Sequence, residues 1–222
     1  VARRDDALVA AYRRFAKRTI RERETFRLAL DGQYTLDHYT PLVNRSGAWY
    51  CLIRLHDAWA DFCRSVLLLS AYGGVRTRQG VLIAPSPVLQ PGDDALKVLE
   101  KSWKQNKQMC RWQKQGPPVD LPVVAIVAAQ LLSISNLTSF SAGIGASNTN
   151  APVELKACRN FLAHRHEDTA LHHDIGDLRL RINAPASVTD VGELPAQFVS
   201  GGVTLFEEWC LDLETIASAA IS

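Results

Sequence analysis

The sequence predicts an all-α fold, a bundle of five to six helices with a short irregular or β insert before the last one. Three observations carry this. Long stretches free of glycine and proline place apolar residues at helical spacing. Clusters of Gly and Pro fall where those stretches end. Strict polar–apolar alternation is confined to one short segment.

Taken in order, Ala2 to Leu30 has neither Gly nor Pro, and Leu8, Ala11, Tyr12, Phe15, Ile20 and Phe26 recur at mostly helical intervals. This predicts the first helix, ended near Gly32. Asp31 to Ser46, with Pro41, reads as a loop. Gly47 to Tyr72 reads as the second helix, with Trp49, Leu52, Ile53, His56, Trp59, Ala60, Cys63, Val66 and Leu67 on one wide buried face. Gly73-Gly74 stops it. Val75 to Gly92 is rich in Gly and Pro and reads as a loop with room for a short strand.

Asp93 to Gln115 reads as a third helix, with acids at its start and bases later, as the helix dipole favours. Leu121 to Ala142 reads as a buried fourth helix with Pro122 in its first turn, where proline is tolerated. Gly143 to Asn150 is a small-residue linker, and Pro152 opens a fifth helix. Leu178, Leu180 and Ile182 alternate with Arg179, Arg181 and Asn183, the pattern of a short strand or an irregular segment. Val203 to Ile221 reads as a final amphipathic helix. No boundary for a second domain stands out, so residues 1–222 are read as a single domain with 174–202 as an insert.

Composition narrows the function classes. The chain has 222 residues, 47% of them hydrophobic and 22% charged, which is ordinary globular material. A net charge of +2 is too mild to demand nucleic acid on its own. The five cysteines (51, 63, 110, 158 and 210) are dispersed, without a CxxC pair, as expected of reduced thiols rather than a disulfide framework. Leu121 to Ile134, the most apolar stretch, is shorter than the roughly 20 residues a spanning helix needs. The expectation is a soluble, cytoplasmic protein with no membrane partner.

The stretch from Glu154 to Arg165 concentrates the chemistry. On a helical wheel, Val153, Leu155, Ala157, Cys158, Phe161 and Leu162 form an apolar arc. Lys156, Asn160 and His164 line the opposite side, with Arg159 on its flank. Arginine offers a permanent charge and a planar fork that suits phosphate. Histidine takes and gives protons near neutral pH. Together they can cleave a phosphodiester without a metal, by attack of a 2′-hydroxyl that leaves a 2′,3′-cyclic phosphate.

The run Arg159-Asn160-Phe161-Leu162-Ala163-His164 resembles the signature of the HEPN superfamily, an Arg, four to six residues and a His, often with Asn after the Arg. The resemblance implies a helical bundle that homodimerises through the motif helices. It also implies a metal-independent endoribonuclease cleft at that interface, as in toxin–antitoxin, abortive-infection and CRISPR-linked defence. Arg159 and His164 match the two essential positions and Asn160 the common polar one. A supporting polar residue on an earlier helix is implied too; Asp57 and Asp61, beside His56, are the candidates. RNA is then the expected partner, with an antitoxin or a larger defence complex as a further one, and no cofactor is expected. Some members of the superfamily are inactive, so a non-catalytic dimerisation or RNA- or protein-binding module is the alternative.

Other groups are weighed beside these. Arg165 and His166 are placed as secondary RNA contacts. His164, His166, His172 and His173 cluster with acids, but their spacing matches no zinc signature, and no metal site is assigned. Arg13, Arg14, Lys17, Arg18 and Arg21 form one basic stripe. Lys97, Lys101, Lys104, Lys107, Arg111 and Lys114 form another, interleaved with Trp103 and Trp112. Bases with aromatics suit a nucleic-acid track, and a solvated helix face is the plainer reading. Lys156, Lys101, Lys104 and Arg111 are the RNA-binding candidates. His56, on an apolar face, reads as a satisfied core histidine.

Overall fold

The computed structural model describes residues 6–31, 40–95, 97–98, 132–134, 137, 149–164, 173–186, 188, 190–199 and 201–222; the side chains of 31, 40–46, 164 and 173 are outside that description. Among the described residues the fold is all-α, with five α-helices, one 3₁₀ helix and a two-stranded antiparallel sheet. The chain divides into two compact units. One comprises Val1–Phe15, Trp59–Thr149 and Thr215–Ser222, the other Ala16–Ala58 and Asn150–Glu214.

Helix α1 (Ala7–Asp31) buries Leu8, Ala11, Phe15, Thr19, Glu22 and Phe26, a stripe with steps of three and four. Ile20, expected on that face, is 42% exposed. The stripe passes through Thr19 and Glu22 instead, and Ile20 lies about 100° away from Thr19. Glu22 is buried because Arg54 pairs with it at 3.0 Å; burial nevertheless raises its pKa, against the pull of Arg54.

Helix α2 (Thr40–Tyr72) begins inside the segment expected to be a loop. Pro41 does not prevent this, since a first-turn residue needs no amide hydrogen for the helix ladder. Gly47 is helical, and a Cβ there would meet Ala29 Cβ of α1 at 3.5 Å, so the two helices run close at this point. Phe26 of α1 stacks on Phe206 with centroids 4.2 Å apart. In the other unit Phe15 packs on Trp59 and Phe62, at 5.6 and 5.1 Å.

The end of α2 follows the sequence. Gly73 and Gly74 both take positive φ, 59° and 67°, which only glycine adopts without strain. The Gly73 amide closes the helix on Leu69 O at 3.0 Å. A short hairpin follows, β1 (Val75–Arg76) against β2 (Leu82–Ile83). The third predicted helix lies outside the described residues beyond its first turn. The fourth is not one continuous helix: Ser133 has φ 52° and, with Ile134, is non-helical. A run of Ser, Ile, Ser and Asn offers the backbone competing hydrogen bonds there, and Ser86 Oγ donates to the Leu132 carbonyl.

Helix α3 (Ala151–His164) opens at Asn150, whose carbonyl accepts from Val153 and Glu154 at 2.9 and 3.0 Å. It packs against helix α4 (His173–Arg181) and the 3₁₀ helix Val191–Ala196. Helix α4 corrects the strand expectation. Ile175 and Leu178, three apart, are buried, whereas Leu180 is 81% exposed, so the alternation is not a pleat. Asp174 at its start and Arg179 and Arg181 at its end suit the dipole. It closes in a Schellman motif: Asn183 is left-handed at φ 49°, with Ala184 N on Arg179 O at 3.0 Å and Asn183 N on Leu180 O at 3.1 Å.

Helix α5 (Leu205–Ala220) starts with a capping box. Glu207 Oε2 accepts from Thr204 N at 2.8 Å and the Glu207 amide donates to Thr204 Oγ1 at 3.3 Å. Glu207 also pairs with Arg27 of α1. Burial alone would raise its pKa, but these hydrogen bonds outweigh it and lower the value.

Candidate active site

The motif lies on α3, within the unit formed by Ala16–Ala58 and Asn150–Glu214. Leu155, Ala157 and Cys158 are buried, as the wheel predicts, and Lys156 and Ala163 are exposed. One position differs: Val153, expected on the apolar arc, is 38% exposed. Glu154, beside it, is 4% exposed. Phe161 and Leu162 are half-buried.

Glu154 is buried because it is fully paired. Its carboxylate receives both prongs of Arg181, each at 2.7 Å, and the indole N–H of Trp209 at 2.8 Å. Arg181 also reaches Glu208 at 2.8 Å. A bidentate guanidinium–carboxylate pair is among the strongest hydrogen-bonded arrangements. It ties α3 to α4 and α5 and so fixes which face of α3 turns outward. The sequence signal was present, an acid in the first turn of a helix, but its partners lie far along the chain.

Arg159 and Asn160 are half-buried neighbours, with Arg159 Nη1 at 3.4 Å from Asn160 Oδ1. That is a long contact, so the fork is only lightly held. Arg159 Nε is buried and has no hydrogen-bond partner among the described residues. His164 closes the described part of the helix, and its side chain, with all of Arg165, His166, Lys101, Lys104 and Arg111, lies outside the described residues.

His56, on α2, is the residue the sequence placed differently. It is buried, at 8% exposure, yet neither ring nitrogen has a hydrogen-bond partner among the described residues. An orphaned buried polar group costs about 1–3 kcal/mol. Asp57 Oδ1, on an exposed side chain, lies 3.6 Å from Nδ1, at ion-pair distance though beyond hydrogen-bond reach. Burial lowers the His56 pKa to about 4, and the nearby charges of Arg159 and Lys156 act in the same direction, with Asp57 opposing them. At neutral pH His56 is therefore a neutral imidazole. Asp61, one turn further along α2, is exposed and its carbonyl accepts from Ser65 Oγ at 2.8 Å.

The charges of Arg159 and Lys156 thus act on the titration of His56, whose ring has Asp57 beside it, and Asn160 lies beside Arg159. Among the described residues, no group of three or more His, Cys, Asp or Glu side chains could hold a metal; the His166–His173 segment lies almost entirely outside them. Cys51, Cys158 and Cys210 are buried, and burial raises each thiol pKa, to about 11 for Cys51. None is poised as a thiolate. No helix among the described residues is long and apolar enough to cross a membrane. Comparison with protein-family models, with curated proteins and with solved structures gives no match to this chain.

Proposed function

We propose that the chain is a HEPN-like, metal-independent endoribonuclease, acting in the cytoplasm as a homodimer formed through α3. The carrying observation is the Arg159–Asn160 pair on the partly exposed side of α3, one turn before His164, with the Arg159 Nε left without a hydrogen-bond partner among the described residues. In this reading Arg159 holds a phosphate oxygen and the negative charge that grows in the transition state. His164 takes the proton from the attacking 2′-hydroxyl, and Asn160 orients the phosphate or the imidazole. As the P–O5′ bond breaks, the histidine of the second copy across the dimer axis gives a proton to the 5′-oxygen, so the products are a 2′,3′-cyclic phosphate and a free 5′-hydroxyl. Control by an antitoxin or a larger defence complex belongs to the same reading.

The test is cleavage of a long single-stranded RNA in excess EDTA. Wild type should cut, and His164→Ala should lose about 10²- to 10⁴-fold, the usual worth of a positioned general acid or base. Arg159→Lys should also lose most activity, since an ammonium cannot reproduce the fork. Activity that depends on a divalent metal, or equal cutting of DNA, would refute the proposal.

A second reading, a non-catalytic RNA-binding module, is favoured by one observation: Arg13, Arg14, Lys17, Arg18 and Arg21 are all exposed along α1. Under it, RNA binding would survive His164→Ala and weaken with charge reversal on α1, more so at low salt.

A further inference from the structure

We propose that Tyr50 and Arg54 on α2 form a stacking platform for an unpaired base of a single-stranded nucleic acid, with Arg18 and Arg21 on α1 along its phosphate track. That the strand is RNA rests on the ribonuclease reading; that it is a single strand rests on the surface alone. All four residues, with Glu22, belong to the unit formed by Ala16–Ala58 and Asn150–Glu214.

The platform is held together by printed-out neighbours on two helices. Tyr50 is 57% exposed. The Arg54 guanidinium carbon lies 5.3 Å from the centroid of its ring, and Nη1 donates to the phenol oxygen at 3.4 Å. Arg54 Nε meets Glu22 Oε1 at 3.0 Å, on a side chain only 3% exposed. Moving Arg54 away would leave that buried carboxylate uncompensated, so the guanidinium stays beside the ring. Its own side chain is still 32% exposed. A π-face and a planar cation are therefore fixed at the surface before any ligand arrives, and little side-chain entropy remains to be lost on binding. Every base has a π-face that stacks on an aromatic ring, and an arginine plane adds a cation–π contribution.

The charge beside the platform is of one sign. From Ala7 to Arg21, α1 carries five bases and no acid. Arg18 lies four residues before Glu22 and shares its face, and Arg21 lies three beyond Arg18; both are exposed. Helices α1 and α2 run antiparallel, since Ala29 adjoins Gly47 as Glu22 adjoins Arg54. Tyr50 therefore lies to one side of the Glu22–Arg54 pair, and Arg18 and Arg21 extend to the other. The charge of Glu22 is matched by Arg54. Asp57, one turn past Arg54 and on a side chain 64% exposed, bounds the track on α2.

The combination selects among polyanions. An anionic membrane or an acidic peptide offers charge without a stack of planar bases. A duplex offers phosphates but keeps its base faces covered by their neighbours. A strand with unpaired bases offers both phosphates and open π-faces.

The experiment is fluorescence-anisotropy binding of the full chain to short labelled strands with 2′-O-methyl sugars, which cannot be cleaved. The probes are a mixed-sequence strand, its abasic counterpart, the same strand annealed to its complement, and labelled phosphatidylserine vesicles. Wild type should bind the mixed-sequence strand most tightly. Tyr50→Ala, at an exposed position, should weaken that binding about 5- to 100-fold, the worth of one stacked base, and leave the abasic strand unaffected. Tyr50→Phe keeps the ring and should bind as wild type does. Arg21→Gln should weaken both single strands and reduce the slope of log affinity against log salt by about 0.7, the share of one phosphate contact. Equal binding of the mixed-sequence strand by wild type and Tyr50→Ala, or an equal loss on the abasic strand, would overturn the proposal. So would tighter binding of the duplex, binding of the vesicles in place of the strands, or no binding at all. RNA cleavage by wild type with strand binding indifferent to Tyr50 would overturn the platform and leave the ribonuclease reading standing. Strand binding that depends on Tyr50, in a protein that cuts no RNA, would uphold the platform and count against that reading.

Discussion

Replacing Glu154 with alanine should destabilise the protein by about 3–4 kcal/mol. Removing one partner of a buried ion pair costs about 3–5 kcal/mol, because the other charge is left uncompensated. Here Arg181 is 35% exposed and keeps Glu208 at 2.8 Å, so solvent and that second carboxylate lower its share. The indole N–H of Trp209, on a residue with no exposed surface, would lose its acceptor, adding about 1–3 kcal/mol. Glu154→Gln keeps an acceptor for Trp209 and most of the volume but loses the charged bidentate pair, and should cost about 1–2 kcal/mol. Urea unfolding followed by circular dichroism measures both, with the slope unchanged if the native state alone is affected. Equal costs for the alanine and glutamine variants, or a loss under about 1 kcal/mol for alanine, would refute the claim that this network holds α3 in place.

Stability should also depend on pH through His56. Its pKa falls from 6.5 to about 4 on folding, so the unfolded chain takes up the proton first; stability is complete above 6.5 and declines as pH falls toward 4. Between pH 7 and 5 this amounts to about 2 kcal/mol, which urea unfolding at the two pH values should reveal and His56→Gln should abolish. Gly192→Ala would place a Cβ 2.5 Å from Trp49 Nε1, against an indole that donates to the Gly192 carbonyl at 3.2 Å, and should cost about 1–3 kcal/mol in thermal or urea unfolding. Asp190→Ala removes the cap on the Gly192 amide and should cost about 1 kcal/mol by the same measurement. Cys51, Cys63, Cys158 and Cys210 are buried and should resist a thiol reagent in the native state, reacting only on unfolding; rapid native labelling at any of them would contradict this.

The elements that sequence analysis located are those whose information is local. The α1 stripe, the Gly73-Gly74 stop and Pro152 at the head of α3 each depend on residues a few positions apart. The sequence is silent where tertiary partners decide. Glu22 and Glu154 are charged and yet buried, because Arg54 and Arg181 come from other helices. Leu178, Leu180 and Ile182 alternate as a strand would, but what settles the question is burial of Ile175 with Leu178 against α3. The capping box at Thr204 and Glu207 is local too, a Thr-x-x-Glu run just ahead of the apolar stretch of α5. At the site, Lys156, Arg159 and Asn160 could be placed from the wheel. His56 could not, since an apolar face says that a histidine is buried and nothing about whether its nitrogens find partners.

The long helices carry a consequence for how the chain is made. The residues of α1, α2 and α5 are each divided between the two compact units. Neither unit is a contiguous stretch of sequence, and both draw on the C-terminal helix. As the polypeptide leaves the ribosome neither can be completed before α5 emerges, although α1 and α2 can already pack on each other through Phe15, Trp59 and Phe62. Trp209 meets Glu154, and Phe206 meets Phe26, only once α5 is made. Molecular scissors would accordingly find no cut between the units that frees either one intact.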